Sequence, residues 1–287
     1  MKITNKSGLP LPIVRAVEND PYDSGDSDIS ATRLISPPQQ VALAKTHDDE
    51  LVEDAADRLW SLIGQIGHHI LERGTSSEDS EMVEKRLYAT MSGWVVSGQF
   101  DLMQKAGEIL DYKFTSVWST KDGLKPEWEQ QLNVYAWLCR LQQPAIPVNS
   151  LAIVAIYRDW SKSKARRGEV PSTQSETINV PIWPAEQAEQ FVATRIARHQ
   201  DAQAGNLPEC SDSERWKTAD RWAVMKQGNK RASKLCDSEA EAHRLAAADP
   251  KKYVEHRPGE AKRCQDYCIA SPFCNQWANA PENPANG

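Results

Sequence analysis

The stretch Glu108-Ile109-Leu110-Asp111-Tyr112-Lys113-Phe114 alternates as a strand does, yet sets two charges inside an apolar run. Successive strand side chains point to opposite faces. Ile109, Asp111 and Lys113 therefore share one face, and Leu110, Tyr112 and Phe114 the other. Upstream, residues 94–102 (Trp94-Val95-Val96-Ser97-Gly98-Gln99-Phe100-Asp101-Leu102) read as a second strand, with Gln104-Lys105-Ala106-Gly107 as a hairpin link. Asp101 brings a second carboxylate to the same sheet edge. Two neighbouring carboxylates repel, and a divalent cation removes that repulsion. A surface ion pair between Asp111 and Lys113 is the plain alternative, and the hairpin alone does not decide between the two.

Working outward, residues 47–73 read as a helix, because Leu51, Ala55, Leu59, Leu62, Ile66 and Ile70 recur at three- and four-residue steps. Gly64 and Gly67 weaken it locally, Gly74 is a stop, and 75–81 is a polar loop. Residues 125–141 are helical, with Trp128, Leu132, Tyr135, Leu138 and Cys139 on one face. Residues 151–157 are apolar on both faces, as a central strand is. Residues 185–204 form a long polar helix. This order predicts an α/β domain with a mixed central sheet over residues 46–205.

Residues 1–45 are rich in Pro, Asp and Ser, and Pro10, Pro12, Pro21, Pro37 and Pro38 are expected to break regular structure. The stretch reads as an arm over a core, with a helix starting at Ser30-Ala31-Thr32. Residues 206–287 read as a smaller α+β segment. Strands at 222–226 and 230–235 flank Gly228-Asn229, Ser238-Glu239-Ala240-Glu241 is a capping box opening a helix to Ala248, and 253–255 is a further strand.

The 287 residues are 40% hydrophobic and 26% charged, which excludes a disordered chain. No apolar run approaches the roughly 18 residues of a spanning helix. No apolar stretch follows Met1-Lys2-Ile3 to act as a signal peptide, so a cytoplasmic location is expected. A net charge of −6 excludes a polycationic nucleic-acid coat, but leaves room for a local basic groove beside an acidic metal site. Residues 162–167 (Lys162-Ser163-Lys164-Ala165-Arg166-Arg167) could contact phosphates, as could Lys226, Lys230, Arg231 and Lys234 with Trp216 and Trp222 nearby. Charge runs are more often solvated surface.

Two further features bear on the hairpin. His68 and Glu72 lie four apart on one helix face, where the imidazole could reach a metal held by the aspartates. His69, closer to the apolar stripe, is the better candidate for a residue turned toward the core. Gln131 adjoins the apolar face of its helix, and a buried amide needs hydrogen-bond partners.

In order, Gly67-His68 with Glu72, Gly98-Gln99-Phe100-Asp101, Ile109-Leu110-Asp111-Tyr112-Lys113 and Gln131-x-x-x-Tyr135 resemble the RecB-type branch of the PD-(D/E)XK nucleases. With the closing cysteine segment, the texture is similar to phage-encoded exonucleases of that branch. The resemblance implies a restriction-endonuclease-like core and metal-dependent cleavage of DNA, with end processing beside a single-strand annealing protein. It implies that Asp101 and Asp111 bind Mg²⁺ or Mn²⁺ with His68 and the Tyr112 carbonyl. Lys113 would position the attacking water or meet the developing charge, and Gln131 and Tyr135 would orient the strand. Glu84, read as lying just before the first strand, is a further carboxylate of uncertain placement.

Cys264, Cys268 and Cys274 crowd the C-terminus, and clustered thiols in a reducing compartment suggest metal ligation. Cys210 is the chosen fourth ligand, Cys236 and His256 are runners-up, and Cys139 reads as a buried helix thiol. The resemblance implies an iron–sulfur cluster. This chain lacks the cysteine that related nucleases carry before the histidine motif, so structural zinc stays open beside it.

Overall fold

In the computed structural model, which describes residues 1–20, 25–76, 78 and 80–286, the chain runs in order through the following elements. They are β1 (Lys2–Thr4), α1 (Leu11–Glu18), β2 (Ile29–Ser30), α2 (Ala31–Ile35), α3 (Pro38–Thr46), β3 (Val52–Asp54), α4 (Leu59–Gly74), β4 (Ser80–Met91), β5 (Trp94–Gln104) and β6 (Glu108–Thr115). Then follow α5 (Pro126–Arg140), β7 (Ser150–Tyr157), α6 (Lys162–Arg166), β8 (Ser175–Val180), α7 (Ala185–Gln203), β9 (Arg221–Lys226), β10 (Lys234–Cys236), α8 (Glu239–Ala246), β11 (Lys252–Arg257) and α9 (Asn275–Ala278). The chain forms two compact units, 1–36 with 52–206, and 37–51 with 207–287.

The first unit is built on β7. Its residues are apolar on both faces because an apolar cluster covers each side of the sheet there, and β7 lies between β6, to which it is parallel, and β8, to which it is antiparallel. β5 is the pivot of the rest. β4 pairs along nearly the whole of one edge of β5. The other edge is shared: β2 takes Val96 and Ser97 in parallel, and β6 takes Leu102 and Met103 antiparallel. The result is a mixed sheet with helices on both faces. On one face, Leu132, Val134 and Leu138 of α5 pack with Val192 and Ile196 of α7 and Leu34 of α2 over Phe100, Ile109 and Ile153. The other face has a smaller cluster around Leu102, Leu110 and Ala152, and α4 meets β6 through Phe114.

Several expectations need correction. The helix read at 47–73 begins only at Leu59. His47 ends α3, and β3 then pairs with β1, so Leu51 and Ala55 continue the helical spacing without being on that helix. The loop read at 75–81 gives way at Ser80 to β4, a twelve-residue strand the sequence reading missed; residues 77 and 79 lie outside the described residues. β8 was also missed. The prolines open helices more than they break structure: Pro10 precedes α1 with Pro12 in its first turn, and Pro37 precedes α3, which starts at Pro38. Pro21 lies outside the described residues. Within 1–45, Ser30 does open a helix, its hydroxyl accepting from the Arg33 N–H.

The second unit holds an antiparallel sheet in the order β10-β9-β11, covered by α8 through Val224, Cys236, Ala242 and Ala246. Gly228 turns the hairpin at φ +86°. Ser238 caps α8 by accepting from the Glu241 N–H, as its capping box predicts.

Candidate active site

The ladder between β5 and β6 stops after Leu102↔Leu110. One step further, Asp101 would face Asp111, and like charges directly opposite are unfavourable. The strands splay instead. The Asp101 side chain takes over as acceptor, its Oδ2 receiving the Tyr112 N–H at 2.7 Å. This notch in the sheet is where the acidic groups gather.

Asp111 is 2% exposed. Its Oδ2 lies 2.5 Å from Lys113 Nζ, and it makes no well-formed hydrogen bond. Burial pushes its carboxyl up from the ordinary range, and the Lys113 ammonium only partly opposes this. Lys113 also donates to Gln131 Oε1 at 3.0 Å, and Gln131 Nε2 donates to the Tyr135 hydroxyl at 2.7 Å. Asp111, Lys113, Gln131 and Tyr135 thus form one chain from β6 to α5. Tyr135 is buried and meets the notch through Gln131.

From α4, His68 Nδ1 lies 3.1 Å from Asp101 Oδ1. That hydrogen bond raises the imidazole pKa, against the opposing effect of burial. Gly67 makes the approach possible, because a Cβ there would stand 2.1 Å from Phe114 Cζ. Gly98 does the same for α5, since a Cβ there would stand 2.5 Å from Leu138 Cδ1. His69 corrects the sequence reading: its side chain is 70% exposed and pairs with Glu72 at 3.7 Å, away from any core.

Glu84 completes the group. It lies inside β4, between the Val83↔Leu102 and Lys85↔Phe100 pairs, and so opposite Asp101. Its φ is +46°, a left-handed backbone that a residue with a side chain rarely adopts. Arg86 Nη2 donates to Gln99 Oε1 at 2.8 Å, and Gln99 Nε2 donates to Glu84 Oε2 at 2.7 Å. Burial raises the Glu84 carboxyl. Ligand atoms of His68, Glu84 and Asp101 all lie within 4.8 Å of one another. Carboxylate oxygens with an imidazole suit a divalent cation, and the buried Asp111 carboxylate, paired with Lys113, is a further oxygen donor beside them.

In the second unit, Cys210, Cys264, Cys268 and Cys274 line one cavity with Gln39, Arg215 and Arg263. All four are free thiols. Gln39 Oε1 lies 3.5 Å from Cys210 Sγ and 3.6 Å from Cys274 Sγ. Burial pushes the Cys210 thiol up to about 12 and that of Cys268 to about 11. The other thiols and the histidine are engaged elsewhere. Cys139 is fully buried on α5, its thiol pushed up to about 12 by desolvation. Cys236 is buried under α8, and His256 Nε2 is 2.9 Å from Asp220.

No helix among the described residues is long and apolar enough to cross a membrane. No family model matches the chain, and no curated protein matches it. Among solved structures it is similar to the crystal structure of SSO0001, at 17% identity over 67% of this chain and 87% of that one, with a TM-score of 0.45. It is also similar to an alkaline exonuclease, LHK-Exo, from Laribacter hongkongensis, at 12% identity over 61% and 89%, with a TM-score of 0.38.

Proposed function

We propose that the chain is a Mg²⁺- or Mn²⁺-dependent deoxyribonuclease of the RecB-type PD-(D/E)XK kind, an exonuclease that hydrolyses phosphodiester bonds from DNA ends. One observation carries the reading. His68 from α4, Glu84 from β4, Asp101 from β5, and Asp111 and Lys113 from β6 converge on a single notch. An ion pair on a surface strand would need neither the imidazole nor the strained Glu84.

Asp101, Asp111, His68 and Glu84 would hold the ion, with the Tyr112 carbonyl as a further donor. Such an ion supplies Lewis acidity toward a phosphate oxygen and lowers the pKa of a bound water. The protein's own residues do the rest. The Tyr112 N–H fixes Asp101. Lys113, set between Asp111 and Gln131, is aimed by both and presents its ammonium to the attacking water or to charge developing on the phosphate. Gln131, fixed by Tyr135, holds Lys113 and is the polar group on α5 best placed to meet the strand.

The cysteine cavity fits a structural metal cluster. An iron–sulfur cluster is the occupant proposed, with structural zinc as the alternative, since four thiols can ligate either. The biological setting proposed is phage-type recombination, in which a resected strand passes to a single-strand annealing protein.

The test uses linear and circular duplex DNA with Mg²⁺, Mn²⁺ or EDTA, beside Asp111→Ala. Degradation of only the linear form, lost in EDTA and in the variant, is expected. Nicking of circles would instead assign an endonuclease on the same core, and binding without cleavage a non-catalytic DNA-binding module. Visible absorption with iron and zinc analysis tests the cluster.

A further inference from the structure

The loops that follow β6 and β7 are tied together. Asp159 accepts from Ser116 Oγ at 2.6 Å and from the Val117 N–H at 2.8 Å. Residues 116–125 and 158–167 together hold seven basic residues and two acidic ones, in a chain whose net charge is −6. One of those two acids, Asp159, is already committed to the loop hydrogen bonds. This is a local reversal of the overall charge.

Two large indoles stand in water here. Trp118 is 58% exposed and Trp60, in the first turn of α4, is 56% exposed. Each has a cation beside its ring. The Arg158 guanidinium lies 4.0 Å from the Trp60 centroid, and Lys121 Nζ lies 5.5 Å from that of Trp118. Lys125, half-buried and close enough to Arg158 for their charges to repel, adds a third cation.

The position matters as much as the composition. In the parallel register Lys113 lies beside Ala155 and Thr115 beside Tyr157. Arg158 is therefore three residues past the level of Lys113, about 10 Å along the sheet. Trp60 precedes His68 by about two helical turns, about 12 Å along α4. The carboxyl ends of parallel strands are where open α/β sheets take their ligands.

Resting on the nuclease reading, we infer that Trp60 with Arg158, and Trp118 with Lys121, form a stacking site for an unpaired DNA strand at the mouth of the notch. An apolar partner would not select cations on both indoles. A strand carries a base and a phosphate in each repeat, and matches indole and cation in turn. Resection of one strand from a duplex end leaves the other unpaired, and such a site would hold an unpaired strand next to the notch.

The test is binding of a labelled oligothymidylate by fluorescence anisotropy in EDTA, where no cleavage occurs. Wild type is compared with Trp60→Ala, Trp118→Ala and Trp118→Phe, and a blunt duplex hairpin serves as the second ligand. Each alanine variant should lose about tenfold in single-strand affinity, and the phenylalanine variant should keep most of it. The duplex should bind nearly as before, and thermal melts should not change, since both indoles are exposed. Failure of wild type to bind the oligonucleotide, alanine variants that bind like wild type, or an equal loss for the duplex would each overturn the inference. Digestion of linear DNA in Mg²⁺ by the same proteins separates the two claims. Tryptophan-dependent binding without any cleavage removes the nuclease reading and leaves the stacking site. Cleavage with tryptophan-independent binding does the reverse.

Discussion

Gly67→Ala should separate activity from stability. A Cβ at this position would stand 2.1, 2.3 and 2.7 Å from three ring atoms of Phe114, where ordinary contact begins at 3.4 Å. Relief from 2.1 Å takes a displacement of about 1.3 Å. The helix and the half-buried Phe114 ring share the movement: none of the residues of α4 is buried, whereas the β6 backbone is held in the middle of the sheet. Overpacking relieved by side-chain and backbone shifts costs about 1–3 kcal/mol, and replacing a mid-helix glycine with alanine returns about 1 kcal/mol. With the helix free to shift, the net change in folding should stay near 1 kcal/mol, a Tm change of about 2–4 °C. The site has less tolerance. His68 Nδ1 is 3.1 Å from Asp101, and the helix's share of that movement breaks the contact. A misplacement of about 1 Å costs about a hundredfold in rate. The assay pairs thermal melts with kcat/KM on linear duplex DNA and a Mn²⁺ titration. Adding Phe114→Ala removes all three clashing atoms, so the double variant should recover activity relative to Gly67→Ala alone. Wild-type kcat/KM and Mn²⁺ affinity in Gly67→Ala would refute the argument that this glycine sets the imidazole over Asp101.

Two other perturbations test the framework of each unit. Asp54 accepts from the Lys6 and Ala56 N–H groups and from Thr4 and Ser7, and these bonds, the Lys6 N–H foremost, hold its carboxyl down at about 2. A depressed carboxyl contributes stability above its unfolded value of 3.8 that is lost as pH falls toward 2. Asp54→Asn should therefore melt below wild type at neutral pH, with the gap closing as melts are repeated toward pH 2. In the second unit, the Glu282 side chain is 3% exposed and pairs with Arg215. Glu282→Ala leaves that guanidinium with only a 3.8 Å pairing to the exposed Asp212, and should cost about 3 kcal/mol. Denaturant melts and the metal content of the purified variant report whether the cysteine cavity goes with it.

The parts of the site that were legible in the sequence are those written in local periodicity. The 94–102 and 108–114 runs alternate cleanly, and α5 repeats Trp128, Leu132, Tyr135 and Leu138 on one face, all of them buried. Asp101, Asp111, Lys113 and Gln131 could be placed because each sits at a fixed step within such a run. Glu84 could not. β4 lies at the edge of its sheet and buries only Leu87 fully, so its sequence carries almost no alternation. The backbone at Glu84 also departs from strand geometry, which no pattern of side chains records.

Errors on α4 have a common physical source. Apolar spacing was taken to mark the face that packs. Ile66 and Ile70 are 52% and 59% exposed, and the face that meets the sheet is marked by a residue with no side chain. Contact through Gly67 brings the backbone close enough for Phe114 to sit against it, and that closeness turns His68 toward Asp101 and leaves His69 in water. A hydrophobic stripe measures the area a helix could bury. A glycine against an aromatic ring measures how near it comes, and for the His68 imidazole nearness decides the geometry.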